Sequence, residues 1–381
     1  MIVHSLKWPE PAHWQQSGRC RMALVIVGAI LCLHLVIAML QDVEYAGQDV
    51  TISGLRIFRF GKTFRQSCSV GAGSREQLSL FPRGIDSIKP QAVVQGEIYD
   101  CRFLATVVSL IKNNRGRQLL LSNIKKLDNG DYSVTFAGIG ETVVVPPLSP
   151  EELSVCARTR DLDCACSGQG TKGAAFQSGI WLPVLEKAYG QYRNTHQDVL
   201  SECKRFCKHA IFELRPTCIS ELPSFGAAFG ATDDEAAKML TGNAMKEYPT
   251  FSFECGACGF GKGYASIRQI KSWFDRDGVF KETIAEQDQI LRKAISAGRL
   301  AVATTEINGD CVAYGLNSGH AYGVIDYDSR TKMLVLVDPY GQGDLRRAYS
   351  SKPLDGRDDG IFRIALSDFN ALFSHLRLAE P

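Results

Sequence analysis

Met22 to Leu40 is the longest apolar stretch of the chain and carries no fixed charge, enough to cross a hydrocarbon core as one helix. Lys7, Arg19 and Arg21 precede it and Asp42 and Glu44 follow. That bias predicts an uncleaved signal anchor, with residues 1–21 cytoplasmic and the rest exported. A cleaved signal peptide, giving a secreted protein, is the competing reading, but the stretch is long for one and no A-x-A site follows. Beyond it, Val50 to Phe60 alternates as one or two short strands do, and residues 41–75 are expected to be a juxtamembrane extension.

A different pattern starts at Cys101. The segment C-R-F-L-A-T-V-V-S-L-I is apolar on nearly every side, which predicts a helix buried centrally in a domain, with Asp100 placed to cap it. Asn129-Gly130 is the preferred pair of a type I′ hairpin turn, with alternation over Asp131–Phe136 behind it and a further strand over Glu141–Val145. Helical spacing recurs over Ile180–Ala188 and Asp233–Leu240, the latter stopped near Gly242. The glycine-rich Cys255 to Gly263 marks a boundary between a first lobe, 76–254, and a second, 255–381. The second lobe opens with a helix to about Ala297, capped by Gly298, and continues with strands at Leu300–Thr304, Ala321–Tyr327 and Met333–Val337. The expected class is α+β, a helical lobe followed by a β-rich one.

Composition narrows the partners. The chain has 381 residues with a formal net charge of +2, and no Lys/Arg run is interleaved with aromatics, so no nucleic-acid partner is expected. There are 13 cysteines. With Cys20, Cys32 and the candidate nucleophile Cys101 set aside, an even set remains: Cys68, Cys156, Cys164, Cys166, Cys203, Cys207, Cys218, Cys255, Cys258 and Cys311. Such a set suits disulfides in an oxidising compartment.

Chemistry concentrates at Gln95-Gly-Glu-Ile-Tyr-Asp-Cys101, where a tight turn delivers a thiol to a helix start. A lone cysteine there is more often a small buried hydrophobe, so its companions decide. His4, His13 and His34 precede or occupy the anchor; of His196, His209, His320 and His375, only His320 stands at a Gly-flanked strand start. Asp338 ends the strand Met333–Val337, which can pair with the strand that His320 begins, and can orient the imidazole. Gln95 and the Cys101 backbone N–H supply two donors for an oxyanion. No G-x-S-x-G occurs, Cys255-Gly-Ala-Cys258 has no second half to make a zinc site, and Gly263 stands where a phosphate loop needs Ser or Thr.

These residues resemble the calpain-type, papain-like cysteine proteases. The family's Q-G-x-x-x-D-C-x-x-L-A is matched by Gln95, Gly96, Asp100, Cys101, Leu104 and Ala105, and its G-H-A-Y by Gly319 to Tyr322. Ile180 to Tyr189 is similar to its W-x-x-L-L-E-K-A-Y helix, and Leu240-Thr-Gly242 to its L-T-G turn. The resemblance spans roughly residues 78 to 345 and implies a papain-like two-lobed core, with Cys101 on the helical lobe and His320 and Asp338 on the β-rich one. It also implies a protein or peptide substrate and a thioester intermediate. No cofactor is needed for that chemistry; calcium enters through the resemblance alone, and Trp273 stands where an EF-hand's first ligand belongs. Three positions depart from the family: Asp338-Pro-Tyr340 replaces Asn-Pro-Trp, Arg102 replaces Trp, and Tyr99 replaces Gly. Two further readings are therefore kept, an inactive membrane-tethered binding module and an acyl-transfer enzyme.

Overall fold

The computed structural model describes residues 51–52, 55–56, 78–96, 98, 100–150, 152–153, 178–196, 230–250, 279–305, 310–341 and 343–381. The expected anchor at 22–40, the glycine-rich boundary, Tyr99, Trp273 and nine of the ten remaining cysteines lie outside those residues. Among the described residues no helix is long and apolar enough to cross a membrane. The chain divides into two compact units, Met1–Gln66 and Ser67–Pro381. In the first, strands β1 (Thr51–Ile52) and β2 (Leu55–Arg56) pair antiparallel, as the alternation there predicts.

The second unit is built around the helix α1 (Cys101–Leu110), whose residues from Phe103 onward are all buried. Helix α2 (Asn114–Asn123) follows, with Asn113 Oδ1 accepting from Gly116 N–H at its start. It leads into a three-stranded antiparallel sheet, β3 (Ile124–Lys126), β4 (Tyr132–Phe136) and β5 (Glu141–Val145). The β3–β4 turn differs from expectation, because Gly130 alone takes a positive φ, 91°, while Asn129 does not. Leu127 N–H bonds the Asp131 carbonyl at 2.8 Å, so the loop is Asp128 to Gly130 with a left-handed glycine at its end, not a type I′ pair.

Helix α3 (Trp181–His196) runs well past the predicted end at Ala188. Its Trp181, Leu185 and Tyr189 are buried in one cluster with Phe103, Leu104, Val107 and Val108 of α1. Fully burying each such large apolar side chain contributes about 1.5–3 kcal/mol. Helix α4 (Asp233–Thr241) is capped by Thr232, whose Oγ1 accepts from Glu235 N–H at 3.1 Å, and three acidic residues suit the positive end of its dipole.

The larger sheet has six strands in the order β10-β9-β8-β7-β11-β6, with each described pairing antiparallel. They are β6 (Met245–Pro249), β7 (Ala301–Thr304), β8 (Ala321–Asp328), β9 (Met333–Val337), β10 (Ile361–Ala365) and β11 (His375–Ala379). Strand β6 falls before the predicted lobe boundary yet forms an edge of this sheet, against β11. One face receives α1, and the other is covered by α5 (Val279–Ser296) and α6 (Leu366–Leu372), around Leu291, Tyr322, Leu334, Phe362, Phe369 and Leu376. Gly323 is what lets α1 lie on β8. A Cβ there would stand 2.3 Å from Val108 Cγ1 and 2.9 Å from the Ala105 carbonyl oxygen. Ser109 ties the same helix to the sheet, accepting from Ala301 N–H at 2.8 Å and donating to the Val324 carbonyl at 3.3 Å.

Candidate active site

Alternation along β7 and β8 sets the floor of the site. Val302 and Ala321 face α1 and pack with Ala105, and half-buried Cys101 and Met245 close against them. Cys101 thus opens α1 at the junction between helix and sheet, where the first amides of a helix have no intrahelical acceptor.

His320 directly precedes β8. Gly319 before it takes φ +61°, in the left-handed region where a side chain is strained. Thr305, directly after β7, locks the turn: its N–H donates to the His320 carbonyl at 2.9 Å and its Oγ1 accepts from His320 N–H at 3.0 Å. Asp338 directly follows β9, the antiparallel neighbour of β8 in a register that sets Gly323 opposite Val337. This pairing of strand ends brings His320 Nε2 to 2.8 Å from Asp338 Oδ1, with both residues buried.

The carboxylate is held on every side. Its Oδ1 also accepts from Tyr340 N–H at 2.7 Å, and its Oδ2 accepts from Asn317 Nδ2 at 2.8 Å. Tyr340 lies flat on the imidazole, centroids 4.3 Å apart at an interplanar angle of 7°. Asp338 takes Nε2, so the nitrogen left for the thiol is Nδ1, and Cys101 lies near enough to the ring to help raise its basicity. Burial by itself would lower the basicity of His320, but the charge and hydrogen bond of Asp338, helped by Cys101, outweigh it and push the imidazole up to about 10. At neutral pH the ring is therefore an imidazolium between the Asp338 carboxylate and the Cys101 sulfur.

Gln95 is buried beside this group, and its N–H donates to the Pro339 carbonyl at 2.6 Å, which ties the turn before α1 to the Asp338 loop. Its side-chain Nε2 donates to the Ile98 carbonyl, and its Oε1 is buried without a hydrogen-bond partner. One of its two amide hydrogens is thus committed within the turn. Arg102 leans towards α4, NH1 3.6 Å from Asp233 Oδ1, with its side chain 37% exposed. Asp233 is fully buried and also accepts from Arg377 NH1 at 2.6 Å.

Asp100 departs from its expected role. It occupies the position before α1, but its side chain makes no capping hydrogen bond. It is buried, and the side chain it meets is that of Glu186 on α3. Nothing in the local pattern distinguishes Asn317 and Thr305; Glu186 falls within the Ile180–Tyr189 match without a role attached to it, and Tyr340 is visible only as the second residue after Asp338. Cys311, one of the cysteines counted towards disulfides, is a buried thiol with Sγ 4.0 Å from the Asn317 carbonyl oxygen. Among the described residues no group of three His, Cys, Asp or Glu could hold a metal ion. In comparisons with known proteins, no family model and no curated protein matches the chain.

Proposed function

We propose that this protein is a calpain-like cysteine endopeptidase, tethered by residues 22–40 with its catalytic core outside the cytoplasm. The observation that carries the reading is a buried imidazolium hydrogen-bonded to Asp338 on one nitrogen and facing the Cys101 thiol at a helix start. A thiol becomes a strong nucleophile as thiolate, and an adjacent imidazolium and a helix N-terminus both favour that form.

The steps follow from the placement. With the second ring proton already on His320 Nδ1, the sulfur attacks the scissile carbonyl carbon as thiolate. The resulting oxyanion takes hydrogen bonds from the Cys101 N–H and the remaining Gln95 amide hydrogen. His320 then gives its proton to the departing amine, the C–N bond breaks, and a thioester stays on Cys101. Water, deprotonated by His320, attacks the thioester and releases the acid and the thiol. Throughout, Asp338 holds the ring orientation and balances the imidazolium charge.

One observation favours a second reading, an inactive binding module: Gln95 spends part of its donor capacity on Ile98. A thiol-directed epoxide probe applied with and without calcium, with Cys101→Ala as control, separates the two. The endopeptidase reading expects labelling of the wild type alone. No labelling under either condition supports the binding module, and incorporation of an added amine into a peptide acid would show acyl transfer. Export of residues after 40 is tested by a C-terminal reporter that is active only outside the cytoplasm.

A further inference from the structure

We propose that Asp100 and Glu186 hold one proton between them, and that this shared proton fixes the helix start carrying Cys101, making the pair a positioning element of the thiol site. The inference rests on the thiol-protease reading for its consequence, not for its chemistry.

Both carboxyls are 1% exposed. Both oxygens of Asp100 and Oε1 of Glu186 make no well-formed hydrogen bond to a conventional donor, the nearest backbone N–H being Asp100's own, while each side chain is within hydrogen-bonding reach of the other. Two carboxylates in contact have only acceptors to offer, so the contact is a bond only if one of them keeps a proton. The surrounding charges give no other solution. On α3, Lys187 turns to Glu152 at 2.8 Å and to the carbonyls of Pro146 and Pro147, and Arg193 donates to Glu235 of α4 at 2.9 Å. The Tyr189 phenol faces Asp100 and Glu235 and is itself pushed well above its usual range, first by burial. On α1, Arg102 leans to Asp233, and from the sheet His320 is engaged by Asp338. Among the described residues no cation reaches the pair.

Burial raises Asp100 from its ordinary 3.8 to about 7, and burial together with the Asp100 charge raises Glu186 well above the carboxyl range. One carboxyl is therefore the donor and the other the acceptor. Below about pH 7 the pair is neutral; above it, one negative charge sits beside Cys101 at the positive end of α1, where it favours the imidazolium and opposes the thiolate. Loss of the second proton would set two anions against each other at the α1–α3 contact.

The test uses the full chain in detergent, with Glu186→Gln and Asp100→Asn. An acid that keeps its proton longer when folded makes stability fall as pH rises from its unfolded value to its folded one. In a Cys101→Ala background the denaturation midpoint should decline from about pH 4 upwards; the fall below pH 6.5 belongs to the pair, and above it the retained Glu186 proton and the loss of the His320 proton carry the decline on. Glu186→Gln, which still donates to Asp100, should reduce that decline. With Cys101 present, the rate of its alkylation by iodoacetamide should carry an inflection near pH 7 that moves by about one unit or more in Glu186→Gln and vanishes in Asp100→Asn. Unchanged pH profiles of both midpoint and rate in both variants would overturn the proposal. Should neither variant fold, the wild type at pH 8 must show the infrared band of a protonated carboxyl, and its absence would have the same force. An inert Cys101 would defeat the protease reading alone, because the stability profile of the alanine background still decides the pair.

Discussion

Replacing Asp338 by Asn removes a charge and keeps a hydrogen-bond acceptor, and the structure says how far that should move His320. The imidazole stands at about 10 against an ordinary 6.5. At ~1.4 kcal/mol per unit, the imidazolium gains about 5 kcal/mol from a site whose burial alone would disfavour it. Asp338 supplies the larger part, by charge and by the 2.8 Å bond to Nε2. In Asp338→Asn the amide oxygen can still accept from Nε2–H, but only the smaller effect of Cys101 then opposes burial, so the His320 midpoint should fall towards 6.5 or below. The sign for stability follows: a base raised in the folded state stabilises fully below its unfolded value of 6.5 and loses that contribution as pH rises through about 10. Wild type should therefore lose stability between pH 6.5 and 10, and the variant should not. Imidazole NMR titration checks this, with the signal assigned through His320→Ala, alongside denaturation at both ends of the range. A wild-type midpoint within a unit of 6.5, or an unmoved one in the variant, would refute the reasoning. Because orientation survives, epoxide labelling of Cys101 should persist in Asp338→Asn; loss by ~1000-fold or more would show that the charge, not the orientation, carries the chemistry.

Other substitutions probe the frame around the thiol. Gly323→Ala places a Cβ 2.3 Å from Val108 Cγ1, so α1 must lift from β8; we expect about 1–3 kcal/mol of destabilisation by denaturant melt and a drop of ~100-fold in labelling rate from the displaced thiol. Asp233→Ala removes one of the two carboxylates that hold Arg377, the one at 2.6 Å, while Glu247 at 2.5 Å stays, and should cost about 1.5–3 kcal/mol, again read from the melt. Arg102→Ala removes a longer ion pair from a side chain 37% exposed, and its effect on stability should stay below about 1 kcal/mol. A change of ~100-fold in Cys101 labelling by Arg102→Ala would contradict the placement of Arg102 towards α4.

The parts of this site that were legible in the sequence are those fixed by local periodicity. Cys101 lies where an apolar helical pattern begins, His320 where a strand pattern begins behind a glycine, and Asp338 where the next strand pattern ends. Antiparallel pairing of consecutive strands then makes the meeting of His320 and Asp338 a matter of register. Where the reading failed, the deciding contact was distant or depended on one extra residue. Asn129-Gly130 carries the dipeptide of a two-residue turn, yet β3 and β4 pair Lys126 with Tyr132, a register that a three-residue loop closes and a two-residue one does not. Strand β11 sits between β7 and β6, a placement that no window of sequence around His375 to Ala379 contains.

Asp100 joins these two cases. Its residue type and place before α1 predict a capping carboxylate, and that prediction uses only neighbours in the chain. The side chain instead meets Glu186 on α3, in a cluster sealed by Phe103 stacked 4.0 Å from Tyr189. A cap would have needed a solvated or cation-paired carboxylate at the helix start, and the packing of α3 on α1 removes both water and cations from that point. The tertiary contact thus converts a local capping group into a group that must borrow a proton, one residue from Cys101. The same packing that buries the helix carrying Cys101 determines the charge beneath it, so the fold and the environment of the thiol cannot be altered independently at Asp100.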